Sequence, residues 1–262
     1  RFLHRRKPVA NVTVCISRCG ETTYDACLWS VLKQKTEPRI LTTISNVHPM
    51  PAMMDESLAR AETPWLMRVC ADMILDPHCL ATLWRHAQGR ENEVAIVGAN
   101  LRDRVYGIIG TVGLLNAGAL KKFGYHYPRN DPRPDRHAIE FLVGLGYKVV
   151  TLDCVLGEHN PYATAYETFR RFYGTFQKRP RHHSPHEHVQ RIIAYWIKTR
   201  DNDGTWLMLA GLVSGAGRPN GEDRDYVDCE HMDRAFCDAV NRLPDSTRLS
   251  PGVKPETKGT SS

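Results

Sequence analysis

Two short β-branched runs separated by a single helix-length stretch constrain this chain more than any other feature. Val12-Thr13-Val14-Cys15-Ile16-Ser17 is bounded by Arg18-Cys19-Gly20, the mark of a buried strand feeding a loop. Thr22 or Thr23 can then cap a helix on which Tyr24, Cys27, Leu28, Val31 and Leu32 recur at three- and four-residue spacing. Pro38 breaks that pattern, and residues 39–45 form a second strand ending near Asn46. Two strands joined by one helix of this length imply a right-handed crossover and a parallel sheet. The 262 residues suffice for one α/β domain plus a smaller appendage.

The alternation continues as far as residue 160. A loop over residues 47–54, with Pro49 and Pro51, and a short helix over 55–61 lead into Pro64-Trp65-Leu66-Met67-Arg68-Val69-Cys70-Ala71-Asp72-Met73-Ile74-Leu75-Asp76-Pro77. There an apolar strand ends abruptly in a carboxylate and a turn. On local sequence alone Asp72 reads as a cap on the following helix before it reads as a ligand presented at a strand end. Pro77 starts a helix with Leu80, Leu83 and Trp84 inward, and Val94-Ala95-Ile96-Val97-Gly98 is a fourth strand. The Gly-rich apolar stretch 106–118 suits a strand or a strand-loop-strand, with a helical turn at 119–123. Pro128, Pro132 and Pro134 make 125–134 an ordered loop; Asp135 opens a helix that Gly146 ends, and 147–152 is the next strand.

Beyond Gly157-Glu158-His159-Asn160-Pro161 the character changes. Helical patterns over 162–173, 189–199, 206–213 and 231–243 make residues 161–244 a mainly helical region. The flanks read as a basic arm over 1–10 and a disordered Ser/Thr/Pro/Gly/Lys tail over 245–262. Eight Cys without a C-x-x-C pair, several of them in apolar runs, indicate reduced thiols. No stretch has the uninterrupted apolar length of a membrane span, and the first residues lack a signal-peptide core. The expectation is a cytoplasmic protein, with peripheral contact to the inner face of a membrane left open. The net charge of +6 is mild and patchy, which argues against a nucleic-acid partner.

In their order and spacing, residues 11–160 resemble family-2 glycosyltransferases, nucleotide-sugar enzymes of the GT-A fold. Leu28-Trp29-Ser30-Val31-Leu32-Lys33-Gln34 is similar to the family's Leu-x-Ser-Leu-x-x-Gln helix, and Cys70-Ala71-Asp72 with its trailing Ile-Leu-x-Pro stands where the family has Asp-Ala-Asp. Pro134-Asp135, eleven residues before Gly146-Tyr147-Lys148-Val149, looks like the family's Glu-Asp motif ahead of a Gly-Tyr-Lys-Val strand. The resemblance implies a Rossmann-like, mostly parallel mixed sheet flanked by helices, with a helical C-terminal extension. It further implies an inverting transfer of a sugar from a nucleoside-diphosphate donor to a hydroxyl acceptor, assisted by Mn2+ or Mg2+. Asp72 and His159 inherit the metal positions, Asp135 that of the general base, and Ser17, Arg18, Asn46, Asp55 and Asp72 those of donor contacts. The departures are Cys70 and Pro134, each replacing an acid.

Three other readings stand beside this one. The two lost acids suit a GT-A-like domain that only binds or scaffolds. Arg181-His182-His183-Ser184-Pro185-His186-Glu187-His188 suits a zinc or nucleic-acid module, although no Cys pair is near to close a four-ligand site. Tyr166-Glu167-Thr168-Phe169-Arg170-Arg171-Phe172-Tyr173 suits either a helix packed on the α/β domain or one lying on a membrane surface.

Overall fold

The computed structural model describes residues 7–129, 134–177, 185–216 and 229–242. The first strand, β1 (Val9–Arg18), pairs in parallel with both β2 (Glu37–Ser45) and β3 (Trp65–Cys70), so the crossover read from the sequence is present. Helix α1 (Tyr24–Leu32) makes it. β2 lies at the edge of the sheet, where Pro38 is tolerated inside the strand because a missing ladder N–H costs little there.

The sequence reading placed Pro49 and Pro51 in a loop, but α2 (Met50–Ala59) already starts there. Pro49 takes the N-cap position and Pro51 lies in the first turn, where a backbone N–H has no helical partner in any case. After β3 come a short β4 (Met73–Leu75), α3 (Cys79–Ala87), β5 (Val94–Asp103), β6 (Gly107–Asn116), α4 (Ala117–Lys122), α5 (Pro134–Gly144) and β7 (Lys148–His159). β5 and β7 both run well past the segments that apolar character marked out. The seven strands lie in the order β2-β1-β3-β6-β5-β7-β4. β6 runs antiparallel to β3 and β5, and β4 antiparallel to β7, while the other five strands share one direction. The expected mostly parallel mixed sheet flanked by helices is therefore what forms.

Alternation along β3 supplies both faces of the sheet. Trp65, Met67 and Val69 pack with Val12, Val14, Leu80 and Leu83, and Leu66 packs with Met54, Leu58, Ala138 and Leu142. The serine and glutamine of the α1 motif now acquire a physical role. Gln34, 1% exposed, donates to Ser30 O and Asp76 O and accepts from Leu80 N, while Ser30 Oγ accepts from Leu75 N. Together they clamp the segment that follows Asp72.

The C-terminal helices are α6 (Ala165–Gln177), α7 (Pro185–Thr199), α8 (Asn202–Ala216) and α9 (Cys229–Asn241). On α6, Phe169, Phe172 and Tyr173 are buried against the neighbouring helices, where they form part of a core. Among the described residues no helix is long and apolar enough to cross a membrane. Helix α8 meets α6 through Gly211 and Gly215: a Cβ on Gly211 would stand 2.5 Å from Phe169 O, and one on Gly215 would meet Tyr173 O. Alanine has the better helix propensity by about 1 kcal/mol, yet Gly211→Ala is expected to destabilise by about 1–3 kcal/mol because the clash is with backbone. Thermal melts of the variant check the sign.

Candidate functional site

All five co-directional strands end on one edge of the sheet, and the crossover reverses between β2 and β3 on either side of β1, the position at which open α/β sheets accept ligands. Ser17 and Arg18 end β1, Asn46 follows β2, Cys70-Ala71-Asp72 follow the body of β3, Asp103 ends β5 and His159 ends β7. Backbone pairing fixes their mutual placement. Ala71 N donates to Ser17 O at 2.9 Å, Asn46 N to Arg18 O at 2.9 Å, and Asn160 N to Asp72 O at 2.8 Å. Thr23, expected to cap α1, makes no side-chain cap bond and instead donates its hydroxyl to Ala71 O at 2.8 Å, pinning the Asp72 turn.

The pairing of β4 with β7 sets Met73 opposite His159, which carries the imidazole to Asp72. His159 Nε2 stands 3.4 Å from Asp72 Oδ2, and Nδ1 stands 2.7 Å from Asp103 Oδ2. A carboxylate only accepts, so Nδ1 carries the proton and the ring's orientation is set by Asp103. The same Asp103 oxygen accepts from Arg171 Nη2 at 2.7 Å, and its Oδ1 accepts from Val105 N at 2.8 Å and Tyr106 N at 2.7 Å. Burial alone would raise the Asp103 pKa, but the His159 bond, the Arg171 charge and the Tyr106 amide hold it well below the usual carboxylate range. Burial alone would lower the His159 pKa, but its bonds to Asp103 and Asp72 lift it to about 9.

Asp103 and Arg171 were not among the residues singled out from sequence. Only a faint signal for Asp103 was present: past Gly98, Ala99 and Leu101 still alternate with Asn100 and Arg102 before the carboxylate. Arg171 lies in the segment that suits either a packed helix or one on a membrane surface, and it reaches from α6 to Asp103 at the end of β5.

The remaining sequence candidates divide between two places. Ser17, Arg18 and Asn46 join the Asp72 edge. Arg18 is committed there: its guanidinium carbon lies 4.5 Å from the Tyr24 ring centroid, and Nε donates to Ser45 Oγ at 3.1 Å. Asn46 has the left-handed φ of 56°, a conformation that asparagine tolerates. Asp55, on α2, accepts from Tyr127 N at 3.0 Å and so holds the loop after α4. Asp135 lies in the first turn of α5 and is exposed. Of the histidine-rich segment, residues 181–184 lie outside the described residues, and 185–188 open α7.

Two observations bear on a divalent ion. Asp72 Oδ1 is buried without a hydrogen-bond partner. Among the described residues no group of three acidic, His or Cys side chains stands ready as a metal cluster, so Asp72 and His159, whose Nε2 would first have to release its proton, make at most a two-ligand set that substrate oxygens and water would complete. This donor set fits Mn2+ or Mg2+. Cys70 does not extend it, because burial and the neighbouring Asp72 push its thiol up to about 12 and a neutral thiol is a poor ligand for hard cations.

No family model matches the sequence, and no curated protein matches it significantly. Solved structures do align. The mannosyltransferase PcManGT from Pyrobaculum calidifontis, in complex with GDP-Man and Mn2+, aligns with a TM-score of 0.48 at 14% identity, covering 88% of this chain and 86% of that one. S. aureus TarS 1-349 in complex with UDP-GlcNAc aligns with a TM-score of 0.45 at 11% identity, covering 89% and 81%.

Proposed function

We propose that the chain is an inverting, metal-assisted glycosyltransferase that moves a sugar from a nucleoside-diphosphate donor to a hydroxyl acceptor. One observation carries this reading: Asp72 lies in the turn after β3, at the edge where open α/β sheets accept ligands, with an unpartnered carboxylate oxygen and beside a histidine oriented by a second buried carboxylate. Asp72 and His159 would hold the divalent ion, and Ser17 and Asn46, at the neighbouring strand ends, would meet the nucleoside. When bound, the ion neutralises charge that builds on the leaving diphosphate.

Asp135 takes the acceptor hydroxyl proton. The acceptor oxygen forms its bond to the anomeric carbon as the bond to the diphosphate breaks, and the diphosphate leaves with that electron pair. Exposure suits Asp135 to this task, since a base that meets an incoming acceptor must be reachable. A domain that binds nucleotide without transfer is the competing reading, favoured by the neutral Cys70 where an acid would stand. Stabilisation of the protein by nucleoside diphosphates and their sugars, screened by thermal shift with and without Mn2+, tests the common part of both. Asp135→Asn separates them: under the transferase reading it lowers the transfer rate by about 10²–10⁴-fold while donor affinity stays within a few-fold. A donor that binds wild type but is never turned over with any acceptor supports the binding-protein reading.

A further inference from the structure

The second face of β3 carries a charge that the metal site does not use. Arg68 follows Leu66 by two residues and so shares its side of the sheet, where Leu66 meets the helices α2 and α5. Its guanidinium carbon lies 5.4 Å from the ring centroid of Tyr127. Arg68 Nη1 is buried with no hydrogen-bond partner, and so is the Tyr127 hydroxyl, on a residue only 2% exposed. Buried polar atoms almost always find partners, and here two donors in neighbouring side chains lack one. Arg68 also enters no ion pair among the described residues, although Asp55 and Asp135 are near enough to Tyr127 to raise its pKa alongside the larger effect of burial.

A guanidinium N–H and a phenolic O–H, both free, match the acceptor-only surface of an oxyanion better than a neutral hydroxyl. The strand's composition points the same way. Position 70, two residues beyond Arg68, is a cysteine, so no carboxylate there offsets the guanidinium. Asp135 is exposed and its repulsion toward an anion is screened by water, whereas the attraction of the half-buried Arg68 is screened less. We propose that Arg68 and Tyr127 form a subsite for an oxyanion, a carboxylate or phosphate carried by the sugar or by the acceptor, and that the substrate is therefore acidic. The subsite itself stands on these two residues; only the identity of the molecule bearing the anion rests on the transferase reading.

The probes are D-glucuronate, inorganic phosphate and, as the neutral control, D-glucose, titrated into the full chain and followed by thermal shift and equilibrium binding. Wild type is expected to bind one of the two anions and not glucose, and the anion that binds distinguishes carboxylate from phosphate. Arg68→Met, which keeps an apolar stem, and Tyr127→Phe, which removes only the unpartnered hydroxyl, are each expected to weaken anion binding at least about tenfold. Both should leave the melting temperature of the free protein unchanged or raised, since each removes an unpaired buried group. A pair serving only to hold the fold would do the reverse, lowering the melting temperature without an anion-dependent effect. Absence of anion binding to wild type, or equal binding by wild type and both variants, overturns the proposal. UDP and GDP titrated alongside with Mn2+ keep the two readings apart: nucleotide binding without anion selectivity leaves the transferase reading and removes the subsite, and the opposite result does the converse.

Discussion

Replacing Asp103 with alanine is expected to destabilise the protein by about 3–5 kcal/mol, the largest stability loss of any single substitution at the site. Its side chain is fully buried and accepts from two backbone amides, an imidazole and a guanidinium. Without it, the turn between β5 and β6 loses the oxygen that accepts from both its amides, Arg171 loses its ion pair with Asp103, and His159 keeps one carboxylate, Asp72, in place of two. For a chain of this size the loss corresponds to roughly 10 °C in melting temperature. Asp103→Asn should cost less, because an amide oxygen still serves the turn.

The pH dependence has a definite sign. His159 is raised from 6.5 to about 9, so its stabilisation is fully present below about pH 6.5 and lost as pH rises through about 9. Asp103 is depressed, so its contribution is present above its ordinary value of 3.8 and lost only as pH falls through the depressed one. Wild type should therefore lose stability on the alkaline side, on the order of 2–3 kcal/mol by pH 9, and Asp103→Ala should flatten that limb. Denaturant melts at a series of pH values measure both effects.

The second large effect is functional. Asp72→Asn is expected to leave the fold standing, since its side chain is a quarter exposed and its contact with His159, at 3.4 Å, is long. Metal-dependent donor affinity should fall by about 10²-fold or more, because a neutral amide replaces a carboxylate whose buried oxygen is unpartnered at this edge. The two substitutions are thus expected to separate: one removes the support of the site, the other its charge. Melting temperature and Mn2+-dependent donor titration on the same preparations distinguish them.

The parallel core was legible because β1, α1 and β2 each carry a local signature: β-branched runs, a helical period and turn residues at the joints. Asp72 was legible for the same reason, being the abrupt end of an apolar run. The contact between Asp72 and His159 was not, since it depends on the antiparallel pairing of β4 with β7 across more than eighty residues of chain. Asp103 escaped because apolar character stops at Gly98 while the strand continues by hydrogen bonding to β6. Arg171 escaped because a basic residue among aromatics on a helix reads as surface until the helix is docked. Prolines misled in two places for one reason: Pro38 and Pro51 act as breakers only where a backbone N–H is needed, and an edge strand and a first helical turn do not need it.

The central claim is that Asp72 and His159 hold a divalent ion together with a nucleoside diphosphate. Electron paramagnetic resonance of Mn2+ titrated with protein and UDP or GDP tests it most directly, because free and bound Mn2+ give separate signals. Wild type should sequester one Mn2+ per chain when the matching diphosphate is present, and Asp72→Asn should not. Equal sequestration by wild type and Asp72→Asn, or none by wild type with either diphosphate, would contradict the account.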